Sequence, residues 1–60
     1  MAGVIEILEA PTRTELRQKA IEWERQAKGN MLSDIRAGYD PERVQQSDDG
    51  GFWIQMIAHS

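Results

Sequence analysis

The sequence predicts an α+β fold, in which one helix packs on one face of a three-stranded antiparallel sheet in the order strand, helix, strand, strand. Three observations predict it. Residues 52–58 are apolar on both faces of an extended chain, as a central strand is. Residues 3–9 are rich in β-branched side chains. Residues 13–28 carry apolar side chains at helical spacing.

The first strand is predicted over residues 3–9. Ile5 and Ile7 point to one face, whereas Val4 and Leu8 point to the other. The proline that follows lacks a backbone donor and disfavours helical conformation in the residue before it. The strand is therefore expected to end there.

The helix is predicted over residues 13–28. Thr12 and Glu15 fit a capping box, in which the threonine side chain accepts from the glutamate amide. Gly29-Asn30 then supplies a left-handed cap. The face that packs on the sheet is a narrow apolar stripe of Leu16, Ala20, Trp23 and Ala27.

Residues 31–39 fit two patterns. Alternation through Ile35, Ala37 and Tyr39 is typical of a strand, and the spacing of Leu32, Ile35 and Tyr39 also fits a helix. The preceding helix stop and the central strand's need for a second neighbour favour a strand. Residues 40–51 then form a polar, acidic loop with turn-forming residues Pro41, Asp48, Asp49, Gly50 and Gly51.

The last strand, residues 52–58, is predicted to lie in the centre of the sheet. A right-handed crossover makes the first two strands parallel, so a fully antiparallel sheet requires the third strand between them. A helix of the same composition is the alternative. Seven residues is short for a helix, and Asp49-Gly50-Gly51 ahead of the segment is typical of a turn.

A chain of 60 residues is expected to form a single domain, residues 1–60. A chain of this size buries only about 60% of the surface its unfolded form exposes, so small domains usually add disulfides, a metal or oligomerisation. The sequence has no cysteine and one histidine, His59. We therefore expect a homo-oligomer, a dimer or larger, with neither a metal nor a cofactor.

The composition also bears on partners and location. A net charge of −3 argues against a nucleic-acid partner, because neutralised phosphates supply most non-specific affinity. Residues 1–10 have no basic start and carry Glu6 and Glu9, unlike a signal peptide. No run approaches the about 18 apolar residues of a membrane span. A soluble, cytoplasmic protein without a membrane partner is expected.

The candidate ligand-binding or interface residues are Trp53, Gln55, Ile57, Val4 and Leu8. The tryptophan could stack on a planar ligand while the amide fixes the ring edge; a protein interface is the other interpretation. A single helix covers only one face of a sheet. The bare face would carry either Val4, Leu8, Trp53 and Ile57 or Ile5, Ile7, Phe52, Ile54 and Met56.

No catalytic or metal-binding residues are predicted. His59 stands alone near the C-terminus, and a metal or proton-transfer site needs partners. The acidic residues of the loop lack the alternating ligand order of a calcium loop. The helix carboxylates Glu15, Glu22 and Glu24 point in different directions rather than converging as acid–base pairs. The chain is therefore expected not to be an enzyme.

Two resemblances rest on particular residues. With Trp53 and Gln55, the small βαββ chain resembles the dodecins, flavin-storing shells that hold isoalloxazine with tryptophan and glutamine. Here both residues lie on one strand, so the resemblance implies the architecture alone. The opening Ile5-Glu6-Ile7-Leu8-Glu9 looks like the start of the small tautomerases. Their catalytic amino-terminal proline is replaced by Ala2, which implies at most a tautomerase-like enzyme without that group.

The function expected from these features is that of a small non-enzymatic, homo-oligomeric binding protein. It would sequester a small planar ligand or inhibit a host protein, a role that fits phage proteins of this length and acidity. The order of short strand, long helix and closing strand with Ile54 also looks like small proteins of bacilli and their phages. One alternative applies if residues 31–40 are helical, because the chain then resembles a ribbon-helix-helix repressor. Its first strand, however, would offer the bases two carboxylates and no arginine, lysine or glutamine.

Overall fold

The computed structural model describes residues 3–60 of the chain. Its elements are β1 (Gly3–Ala10), α1 (Arg13–Gly29), β2 (Asp34–Ala37), a 3-10 helix (Pro41–Arg43), β3 (Gln45–Gln46) and β4 (Phe52–His59). The predicted α+β class is confirmed, with one helix and an antiparallel sheet. The sheet has four strands where three were predicted, because the loop contains β3.

The centre of the sheet is β4, as predicted. Along one edge it pairs with the whole of β1, from Gly3 opposite His59 to Ala10 opposite Phe52. The other edge is shared, since β2 pairs with the end of β4 and β3 with its beginning. All three pairings are antiparallel. The helix on one face explains the buried Ile54, Met56 and Ala58, whereas the apolar residues on the other face of the strand have no cover within the described part of the chain.

The core lies between α1 and one face of the sheet. Thr12 caps the helix by accepting a hydrogen bond from the amide of Glu15 at 3.2 Å, as predicted. Leu16 and Ala20 are fully buried against Ile54 and Met56 of β4. The predicted stripe is confirmed, with Ala27 also buried and Trp23 half-buried.

The helix ends in a Schellman motif. The amide of Leu32 donates to the carbonyl of Ala27 at 2.8 Å, and the amide of Met31 donates to that of Lys28 at 3.1 Å. The left-handed residue is Met31, with a φ of 69°, so the predicted cap at Gly29-Asn30 was misplaced by one position. Since the cap uses residues 31 and 32, β2 is shorter than the predicted strand 31–39.

The predicted loop 40–51 contains the 3-10 helix and β3. A tight turn joins β3 to β4, in which the amide of Ser47 donates to the carbonyl of Gly51 at 2.8 Å. The amide of Gly50 returns to the carbonyl of Ser47 at 3.1 Å, and Gly50 has a φ of 90°. Glycine adopts this backbone without strain. The buried Val44 anchors the segment to the core.

Candidate interaction surface

The register of β1 on β4 decides which side chains share a face. Directly opposite residues of an antiparallel pair point to the same side of the sheet. Ile5 lies opposite Ile57, Ile7 opposite Gln55, and Glu9 opposite Trp53. These positions alternate with the residues buried under α1, so they lie on the other side of the sheet. We call Ile5, Ile7, Trp53, Gln55 and Ile57 the uncovered face.

The uncovered face is markedly exposed. Ile5 and Ile7 are 67% and 56% exposed, whereas Ile54 and Met56 under the helix are fully buried. Trp53 and Ile57 beside them are half-buried, and Gln55 is exposed. In the part of the chain that the structure describes, no element lies over this face, because α1 packs on the opposite side of β1 and β4.

The predicted site residues do not all lie together. Trp53, Gln55 and Ile57 share the uncovered face. Val4 and Leu8, which the sequence analysis grouped with them, lie opposite Ala58 and Ile54 and so point towards the helix. That grouping is corrected.

The residues that sequence reasoning failed to group with Trp53 are Ile5 and Ile7. Alternation within a strand shows which of its residues share a face. It does not show which face of one strand matches which face of another, and a shift of one residue exchanges the two. The sequence carries no signal that would have fixed this register, because β1 and β4 are joined through a helix rather than a tight turn.

The end of the uncovered face is closed by His59. Its imidazole ring lies against Gly3, where an added Cβ would come within 3.1 Å of the ring Cε1. The ring is half-buried and has Asp34 of β2 opposite it on its other side. His59 therefore packs at the rim of the sheet. Within residues 3–60, no three histidine or acidic side chains gather into a metal site.

Arg43 fills a gap in the second edge of β4. Gln45 pairs with Trp53 and Ala37 pairs with Ile57, so Gln55 has no strand neighbour between them. The guanidinium of Arg43 donates to the main-chain carbonyl of Gln55 and also to that of Gly38. Two donors of one planar group thus join β4 to the segment that follows β2, and they hold the backbone under the uncovered face.

Two depressions lie beside the sheet. One, of about 440 Å³, opens at the end of β1 between Pro11 and the β3–β4 turn, and carries the carboxylates of Glu9 and Asp49. Nearby, the guanidinium of Arg13 stacks over the ring of Phe52 at 5.0 Å. The other, of about 150 Å³, is a cleft between β1 and α1 lined by Val4, Glu6, Trp23, Gln26, Ala27, Asn30 and Leu32.

The two alternative functions considered from the sequence depend on different parts of the chain. The ribbon-helix-helix alternative requires a helix over residues 31–40, and this segment contains the strand β2 instead. The tautomerase-like alternative concerns Ala2, which lies outside the described residues.

Comparisons of the chain with protein-family models, with curated proteins and with solved structures found no match. Among the described residues, no helix has the length and apolar character needed to cross a membrane.

Proposed function

We propose that the chain is a small non-enzymatic binding protein that works as a homo-oligomer, with the uncovered faces of its copies packed together. The observation that carries the proposal is the exposure of Ile5 and Ile7, at 67% and 56%, beside Trp53 and Ile57. Soluble monomers rarely expose contiguous apolar patches larger than a few hundred Å², and larger patches mark interaction sites.

The size of the core supports association. The largest fully buried side chains of the described residues are only Leu16, Ile54 and Met56. Covering about 400 Å² of apolar surface per chain is worth about 10 kcal/mol of gross transfer free energy. The whole stability of a small domain is about 5–15 kcal/mol. Folding and association are therefore coupled in this proposal.

The proposed targets are a small planar molecule, which the protein sequesters, or a partner protein, which it inhibits in the manner of small phage proteins. Support for a planar ligand comes from Trp53 and Gln55, which are two positions apart on one face and combine a stacking surface with an amide. The proposed location is the cytoplasm, with which a chain free of cysteine is compatible.

Sedimentation of the wild type and two matched variants tests the proposal. The wild type should sediment as a dimer or larger at low micromolar concentration, and Ile7→Glu should shift it to monomer. Ile21→Glu is the control, because Ile21 is 40% exposed on the helix, away from the uncovered face. A folded wild-type monomer of 6.8 kDa would refute the proposal. For the ligand, the absorbance spectrum of the purified protein should show a bound chromophore.

A further inference from the structure

Some backbone groups of β1 point away from the sheet. The hydrogen bond that Arg43 donates to β4 shows which ones they are. The carbonyl of Gln55 accepts from Arg43 on the edge of β4 that faces away from β1. In an antiparallel ladder both backbone groups of a residue point to the same edge, and opposite residues alternate between bonded and non-bonded pairs. Ile7, opposite Gln55, therefore turns its amide and carbonyl away from β4. The same holds at every second position, Gly3, Ile5, Ile7 and Glu9.

Lys19 closes one end of this edge. Its Nζ donates to the carbonyl of Glu9 at 2.7 Å, reaching from α1 to the outer side of β1. This contact agrees with the direction inferred from Arg43. It leaves Gly3, Ile5 and Ile7 with backbone groups that point outwards, and β1 pairs with β4 alone in the described part of the chain.

The two edges of the sheet are protected very differently. On the far side, β2 has four residues and a register shift, β3 has two, and Arg43 fills the space between them. β1 is a regular strand of eight residues without a proline, a lysine or a bulge. Its charged residues are Glu6 and Glu9, and only Glu6 lies within the part of the edge that Lys19 leaves open. Short strands, bulges, prolines and charges are the means by which proteins block an edge. The edge of β1 is therefore the one open to another strand.

We propose that this edge binds the same edge of a second copy of the chain, antiparallel, about a two-fold axis at Ile5. In this register Ile5 lies opposite Ile5 of the second copy, and Gly3 lies opposite Ile7. Every outward backbone group of these three residues then gains a partner. The inference rests on the proposed homo-oligomer and specifies one of its contacts.

Two neighbouring registers, with the axis at Glu6 or at Ile7, are less favourable than this one. An axis at Glu6 would place the two Glu6 carboxylates directly opposite each other, which is unfavourable. With the axis at Ile7, the Ile5 amide would face the Glu9 carbonyl of the second copy, which already accepts a hydrogen bond from Lys19. With the axis at Ile5, Glu6 lies opposite Val4 of the second copy.

The cleft between β1 and α1 fits the same arrangement. Val4 lines it together with Gln26 and Asn30, whose side-chain amides are hydrogen-bond donors. The Glu6 side chain of the second copy lies beside the mouth of this cleft, which also carries the chain's own Glu6 carboxylate, so the amides of Gln26 and Asn30 offset the repulsion between the two. By symmetry each copy offers the cleft and the carboxylate once, as an isologous contact requires.

Single cysteines can report this pairing, because the sequence has none of its own. Across the axis the two Cα atoms of residue 5 lie about 5.5 Å apart, within the range of a disulfide. The two copies of residue 7 are four positions apart, about 13 Å along the strand, which is too far. Stacked sheets stand about 10 Å apart, so contact through the uncovered faces brings the two copies of residue 5 within disulfide range only if they lie directly over each other, and the N-methylated chain described below separates that case from edge pairing.

The experiment is oxidation of four variants followed by denaturing electrophoresis. Ile5→Cys should give covalent dimer as its main product, and Glu6→Cys, Ile7→Cys and the helix control Ile21→Cys should each give at least fivefold less. An oligomer in which Ile5→Cys does not cross-link overturns the edge pairing and leaves association through the uncovered face standing. Cross-linking that is stronger at Glu6 or Ile7 overturns the register. A wild type that sediments only as monomer removes the proposed function as well.

A second measurement avoids any effect of the cysteine on folding. A synthetic chain with an N-methylated Ile5 amide loses one outward donor and keeps every side chain and the ladder to β4. Its association should weaken at least tenfold in sedimentation. Unchanged association would overturn the pairing.

Discussion

Lys19 and Glu9 join the helix to the outer edge of the sheet: the lysine ammonium donates to the main-chain carbonyl of Glu9 at 2.7 Å. The exposed Glu15, one helical turn before this lysine, is another possible partner at i, i+4 spacing. The carbonyl prevails because it lies at the end of an edge strand, where no other strand supplies a donor.

Removing the lysine should destabilise the protein. Lys19→Met keeps the length of the side chain but leaves the carbonyl of Glu9 without its charged donor, and we expect a loss of about 1 kcal/mol in the free energy of unfolding. Urea unfolding of the two proteins measures it. Arg17→Met is the matched control, since Arg17 is an exposed cation on the same helix, and it should change little. Equal losses in both variants would contradict a specific role for Lys19.

Arg43 should not tolerate replacement by lysine. The guanidinium reaches two carbonyls at once, on Gly38 and Gln55, and an ammonium cannot reproduce that planar geometry. Arg43→Lys is expected to lose about 1–2 kcal/mol of unfolding free energy, because one partly buried carbonyl loses its donor. Hydrogen exchange should accelerate in β2 and β3 more than in β1. Uniform acceleration along all strands would count against this local role.

The helix cap can be improved in two places. Met31 adopts a left-handed φ of 69° while 80% exposed, so Met31→Gly should stabilise the fold by about 1 kcal/mol by removing backbone strain. Gly29 lies in the last turn of α1, and an added Cβ there meets nothing within 4 Å. Gly29→Ala should therefore add about 0.5–1 kcal/mol.

Thermal unfolding measures the effects of Met31→Gly and Gly29→Ala on stability. Gly50→Ala is the control with the opposite expected sign. It should destabilise the fold, because Gly50 has a φ of 90° that alanine adopts only with strain. A stabilising Gly50→Ala would show that the β3–β4 turn does not require its left-handed backbone.

A charge in place of Trp53 on the uncovered face should disrupt assembly and folding together. Trp53→Glu is expected to give an unfolded chain or a weakened monomer, because the carboxylate would have to be buried between copies. Glu22→Gln should change the unfolding free energy by less than about 0.5 kcal/mol, since its ion pair with Arg25 at 3.1 Å is exposed. Circular dichroism and sedimentation measure both effects. A Trp53→Glu protein with wild-type oligomer and stability would place the contact elsewhere.

Local patterns in the sequence were enough to predict much of this fold. The helix could be located from its threonine cap and its stripe, and β4 could be placed centrally because both of its faces are apolar. The two-residue strand β3 could not be found, since Gln45 and Gln46 have no apolar alternation and pair only because the turn after them returns the chain. The cap residue was missed because methionine is a rare choice for a left-handed position.

Which residues make up the uncovered face was harder to predict from the sequence than the elements themselves. Trp53, Gln55 and Ile57 could be grouped from one strand, whereas their companions on β1 depended on a register formed across a helix. Long-range register is a property of the packed molecule, because the helix must be able to bury Leu8 and Ile54 together. The open edge of β1 depended on the same register, and on a lysine contact that no local pattern contains.

The blocked second edge has a consequence for what the protein can become when it is concentrated. Because β2, β3 and, between them, Arg43 at the carbonyl of Gln55 already take up the second edge of β4, an added strand finds a long, regular edge only at β1. Pairing of two such sheets about a two-fold axis uses that edge up, so growth by strand addition stops at one pair. Loss of Arg43 would leave a gap in the second edge, and the paired sheets would then have a further place at which a strand can be added.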